Sequence, residues 1–170
     1  MKRRTLAAAA AALLMTSALG VSACSNEIVA QSGEEAQSAA NLDLERISSV
    51  LDATGKAMTT ADASLDAQDL AGRVSQGALV YRTAQYAYAK ASGQTPQALD
   101  FTPASLAITN SDSWPRAIFN ISESSSTALP VLQVYVQDSA RSDYQLTNYA
   151  RLLGGTQLTL PPVGTGSAYV

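Results

Sequence analysis

One thiol and no imidazole bound the chemistry open to this chain. Cys24 is the single cysteine among 170 residues, and histidine is absent. Ser-His-Asp and Cys-His nucleophiles, His-ligated zinc or haem, CxxC redox pairs and an intramolecular disulfide are therefore excluded within it. A lysine can replace histidine as the base beside a serine, but neither Lys56 nor Lys90 lies in a Ser-x-x-Lys arrangement. Carboxylates are spread singly, so we expect no metal and no organic cofactor. Asp138 and Asp143 fall in polar turns, and Asp100 and Asp112 flank the first strands. A solvated turn carboxylate is a poor general base, so we expect no catalytic residue. The best polar-aromatic set is Trp114, Arg116, Tyr135, Arg141 and Tyr144. A guanidinium fork beside aromatic rings suits a ligand carboxylate, and the alternative is strand-face arginines paired at the surface.

Cys24 stands at a particular place. Lys2, Arg3 and Arg4 form a basic start, Leu6 to Met15 is apolar, and small residues end in Val21-Ser22-Ala23-Cys24. A basic n-region, a short apolar core and a small-residue exit describe a secretory signal peptide. The last four residues resemble the lipobox of bacterial lipoproteins. That resemblance implies a diacylglyceryl thioether on Cys24, cleavage before it, and acylation of the new amine. It also implies a location on the outer face of the cytoplasmic membrane, with the membrane a partner only through those acyl chains. The chemistry needs a cysteine because its thiolate is the good nucleophile.

Removing residues 1–23 takes three cations away and leaves 8 basic against 14 acidic residues, a net charge of −6. The remaining Lys and Arg are scattered, so nucleic acid is not an expected partner. Residues 24–40 read as a flexible tether, polar and poor in large apolar side chains. A 16-residue coil behind Cys24 spans roughly 20–24 Å on average.

A domain is expected over residues 41–170, in which hydrophobic residues are frequent enough to build a core; they make up 46% of the whole chain. Asp43 suits an N-cap, with Leu42 and Ile47 placed as a hydrophobic staple. Leu44, Ile47, Leu51, Met58, Ala61 and Leu65, with Thr54 in the skipped position, predict one helical face of some twenty residues. A heptad fits too, but Thr and Ala at its seam favour packing onto the chain's own core, and a monomer is expected. Asp66 to Gly72 reads as a turn with a short helix. Ser75 to Ala91 reads as a second long helix, with Leu79, Arg82 and Tyr86 on one stripe and Val74, Ala78, Tyr81 and Tyr88 on another. Tyr81, Tyr86 and Tyr88 either line a ligand cleft or belong to the core and its rim.

After Pro103 the period changes from 3.6 to 2. Leu106 and Ile108 alternate, then Ala117, Phe119 and Ile121, then Leu132, Val134 and Val136, then Tyr144 to Leu152. Helices followed by an antiparallel sheet mean an α+β domain, with the helices expected on the face of Leu132, Val134 and Val136. Pro115 and Pro130 belong at strand starts or edges. The order of elements resembles the cone-shaped nuclear transport factor 2-like fold, which implies a curved sheet. The stretch from Trp114-Pro-Arg-Ala-Ile-Phe through Ala140-Arg-Ser-Asp-Tyr-Gln-Leu to Leu152-Leu-Gly-Gly is similar to exported actinobacterial lipoproteins of unknown function. That second resemblance implies a longer protein, and Leu160 to Val170 reads as a loop cut short. The leading expectation is a lipid-anchored, non-catalytic domain binding a protein or small ligand at the cell envelope. The alternative, implied by the first resemblance, is a lipid-anchored isomerase or dehydratase, and a buried Asp beside a Tyr in an apolar cavity would mark it.

Overall fold

A computed structural model of the chain describes residues 41–124 and 128–167. The expected signal peptide, Cys24, the expected tether, residues 125–127 and the last three residues lie outside the described residues. Two helices and a 3-10 turn precede a four-stranded sheet, giving an α+β domain. Helix α1 runs Leu44–Ser64, the 3-10 turn Ala67–Leu70, and helix α2 Gln76–Ser92. The strands are β1 Pro103–Ile108, β2 Arg116–Ser122, β3 Val131–Gln137 and β4 Gln145–Arg151. They form an antiparallel meander in the order β1-β2-β3-β4.

Local chemistry accounts for the boundaries. Asp43 caps α1, its carboxylate accepting from the Arg46 amide at 2.8 Å. Pro115 and Pro130 each stand one residue before a strand, where a missing N–H breaks no ladder bond. Ile47, Leu51, Thr54, Met58 and Ala61 form the buried stripe of α1. Leu65 packs partly against the core, whereas Leu44, expected in the stripe, is 60% exposed. It is the first residue of the helix.

The helix-facing side of the sheet is not the expected one. Ile108, Ile118, Tyr135 and Leu146 share one buried cluster with Ile47, Leu51 and Met58. By the pleat, Val131 and Gln133 stand on the same face as Tyr135, and all three are fully buried. Leu132, Val134 and Val136 point the other way, half-buried beside Phe119 and Ile121 and outside that cluster. The inversion has a polar cause. Gln133 donates to the Asp100 carbonyl at 2.7 Å and accepts from Asn120 at 2.9 Å and from the Tyr135 hydroxyl at 3.0 Å. A satisfied buried amide removes the penalty that otherwise drives Gln to the outer face.

Both sheet edges carry short attachments. The Leu146 amide donates to Arg73 O at 2.8 Å and the Ser75 amide to Leu146 O at 3.0 Å, which ties the start of α2 to β4. Gly77 permits this approach, because a Cβ there would lie 2.6 Å from Asn148 Oδ1. On the other edge, Ser167 pairs with Thr109, its amide donating to Ile108 O at 2.7 Å. As far as Ser167 the closing segment is therefore docked, contrary to the free loop expected. Gly166 is needed for it, since a Cβ would meet that of Asn110 at 2.6 Å. Among the described residues no helix is long and apolar enough to cross a membrane.

Candidate functional site

The five residues selected from sequence divide into three groups. Trp114 precedes β2 and Arg116 begins it, and the guanidinium lies over the indole ring, 4.3 Å from its centroid. Tyr144, just before β4, is 6% exposed; burial pushes its hydroxyl pKa up and the Arg116 charge opposes that. These three form a cluster at one end of the core, with no acidic partner for Arg116 among the described residues and its Nε buried without a hydrogen bond. Tyr135 is not part of it. Its side chain is fully buried in mid-core, where burial alone raises its pKa, and it reaches no solvent. Arg141 stands apart and exposed in the β3–β4 connection.

The carboxylates weighed from sequence, Asp100, Asp112, Asp138 and Asp143, are all exposed. Asp100 accepts from the Thr102 amide at 2.8 Å, and Asp143 lies 3.6 Å from Arg73. Among the described residues no three His, Cys, Asp or Glu side chains converge as a metal site would require.

Sequence reasoning missed the most constrained polar group in the domain. Arg82, on the inner stripe of α2, is fully buried and pairs with Asp62 of α1. Its Nε donates to Asp62 Oδ1 at 2.9 Å, and a second nitrogen engages Asp62 Oδ2, so the contact is bidentate. The remaining nitrogen donates to Gln85 Oε1 at 2.8 Å and Gln97 O at 3.1 Å. Tyr86 completes the set, its hydroxyl donating to Asp62 Oδ1 at 2.7 Å. Burial works against the Arg82 charge, but the hydrogen bond and charge of Asp62 prevail and push its pKa up. Burial, reinforced by Asp62, pushes Tyr86 up as well. An Asp beside a Tyr is the pair that the enzyme alternative calls for. Here both carboxylate oxygens are already engaged, so the arrangement locks α1 to α2 and leaves no free base. The sequence signal was the Leu79, Arg82, Tyr86 stripe, in which a cation shares a face with residues that pack inward.

With Arg82 turned inward, the solvent face of α2 carries several apolar side chains beside Gln76, Thr83, Lys90 and Ser92. Val80, Tyr81, Ala84, Ala87, Tyr88 and Ala91 are all exposed, Val80 by 71%, Tyr81 by 54% and Tyr88 by 60%. Tyr81, Gln85 and Tyr88 form one wall of a cavity of about 360 Å³, and Gln94, Thr95, Pro96 and Gln97 form the other. A second cavity of about 300 Å³ opens across Tyr81 and Gln85 toward Tyr149, Ala150 and Arg151. The Tyr81 and Tyr149 rings meet at 5.5 Å with a 56° tilt. Of the three tyrosines singled out from sequence, Tyr81 and Tyr88 thus line a cleft, and Tyr86 belongs to the core. An open groove of rings and amides can hold a ligand, but it offers no nucleophile-base pair.

No family model matches this chain, and no curated protein and no solved structure matches it either.

Proposed function

We propose that the chain is an exported lipoprotein, anchored through lipid on Cys24, whose domain from residue 41 onward is a non-catalytic binding module at the outer face of the cytoplasmic membrane. The observation that carries this reading is the one cysteine of the chain placed directly after Val21-Ser22-Ala23, behind a basic start and an apolar run. Two acyl chains suffice for stable attachment, since each buried methylene contributes about 0.8 kcal/mol. The binding part of the reading is supported by the groove along α2, where exposed Tyr81 and Tyr88 line a cavity of about 360 Å³. Metabolic labelling with an alkyne fatty acid tests the anchor. Label is expected on the wild-type chain and not on Cys24→Ala; equal labelling of both, or of neither, contradicts it.

A further inference from the structure

Six arginines fall among the described residues, and the fold answers their charges unequally. Arg46, Arg73 and Arg82 face Asp43, Asp143 and Asp62, and Arg151 donates to the Ala98 carbonyl at 2.9 Å. Arg141 stands exposed to water. Arg116 is half-buried, has no hydrogen-bond acceptor among the described residues, and keeps its Nε out of contact with water. Withdrawing an ionised donor from water without a partner costs free energy, a cost that an anion at the guanidinium offsets. We propose that Arg116 anchors a second binding site, for the carboxylate of a small organic acid, at the sheet end that carries the β1–β2 and β3–β4 connections. The site is separate from the α2 groove and does not depend on the lipid anchor.

The guanidinium is held in place rather than free to swing. The Trp114 ring lies against it, 4.3 Å from ring centroid to guanidinium carbon, so one of its two faces is stacked. The buried Nε closes a second approach. What remains is the Nη1–Nη2 end, a pair of parallel donors spaced to meet the two oxygens of a carboxylate. Tyr144, 6% exposed, lies close enough for the Arg116 charge to act on its hydroxyl. Burial keeps that hydroxyl protonated, and it is a further donor at this end.

The neighbouring charges set the class of anion. Gln137 is the cross-strand partner of Arg116, and Asp138 follows it directly. Asp112 stands four residues before Arg116, in the preceding connection. Both carboxylates are exposed, and neither pairs with Arg116. A phosphate dianion needs further cations for its second charge, and this end supplies Asp112 and Asp138 instead. A carboxylate is complete with one fork.

Trp114 is the single tryptophan of the chain and reports on the site directly. The full chain in detergent is titrated with sodium acetate at constant ionic strength, followed by tryptophan fluorescence and by the urea midpoint. Acetamide, the uncharged isostere, and inorganic phosphate are the comparison probes. Acetate is expected to change the fluorescence saturably, with half-saturation in the millimolar range, and to raise the midpoint because it binds the folded chain. Acetamide should do neither, and Arg116→Gln should require at least about tenfold more acetate. Arg116→Lys keeps the charge and loses the fork, so it should also weaken binding; it serves as the test if the glutamine variant fails to fold. Leu153→Ala, at a 75% exposed site, should respond as the wild type does. No saturable response to acetate, or an equal response in the wild type and the Arg116 variants, overturns the proposal. Tighter binding of phosphate than of acetate overturns it as well, because the anion class would then be wrong.

Discussion

Helices α1 and α2 belong to the same core and show solvent different surfaces. α1 follows the ordinary rule. It buries Ile47, Leu51, Met58 and Ala61 and shows solvent Glu45, Arg46, Asp52, Lys56, Thr59 and Thr60. α2 buries Arg82 along with Ala78, Tyr86 and Ala89, and beside Gln76, Thr83, Lys90 and Ser92 it exposes Val80, Tyr81, Ala84, Ala87, Tyr88 and Ala91. The first pattern is what folding alone demands. The second leaves Val80, Tyr81 and Tyr88 largely in water, a placement that burial of a core does not require. The Asp62 pair makes a buried arginine tolerable in that inner stripe, because it satisfies the Arg82 charge.

The comparison breaks most readily at that pair. Removing one partner of a buried ion pair strands the other charge, so Asp62→Ala should cost about 3–5 kcal/mol in urea unfolding. Replacing both partners, as in Asp62→Leu with Arg82→Met, should restore most of that loss. A single variant as stable as the wild type would show that the pair does not hold the inner face of α2. The stripe of α1 is next. Leu51→Ala, at a site 2% exposed, should cost about 2–5 kcal/mol, whereas Val80→Ala on α2 should fall within about 0.5 kcal/mol. Similar losses at the two positions would abolish the distinction between the helices.

Alkaline pH gives a smaller, graded effect. Tyr86 and Tyr135 are pushed above the ordinary tyrosine pKa of 10.0 in the folded state, chiefly by burial. Between that value and the raised ones the folded chain binds more protons than the unfolded chain. Stability is therefore fully present below pH 10 and falls as pH rises above it. Tyr135→Phe should flatten the decline, measured as the urea midpoint at steps from pH 9 to 11. An unchanged slope would mean that the Tyr135 hydroxyl is not held protonated by the fold.

The sequence made α1 legible because a single period of 3.6 runs through it, closed by Asp43 at one end. The strands were legible from their alternation and from Pro115 and Pro130. Which face of β3 turns inward was not, because hydropathy ranked Leu132, Val134 and Val136 above Val131, Gln133 and Tyr135. Only the convergence of Asn120, Tyr135 and the Asp100 carbonyl on Gln133 reverses that order. Val134→Thr should accordingly change stability by no more than about 0.5 kcal/mol, checked by thermal melting. The site was half legible for a similar reason. Trp114, Arg116 and Tyr144 do meet, but Tyr135 and Arg141 do not join them. The Asp62–Arg82 contact joins residues twenty positions apart on two helices, and no local pattern encodes such a distance.

The central claim is that the outward face of α2 serves recognition and not folding. It is tested most directly by replacing Tyr81 and Tyr88 together with glutamine and measuring urea stability. The account predicts a stability within about 0.5 kcal/mol of the wild type, as for exposed sites generally. A loss of about 2 kcal/mol or more would contradict it, because the rings would then be holding the fold.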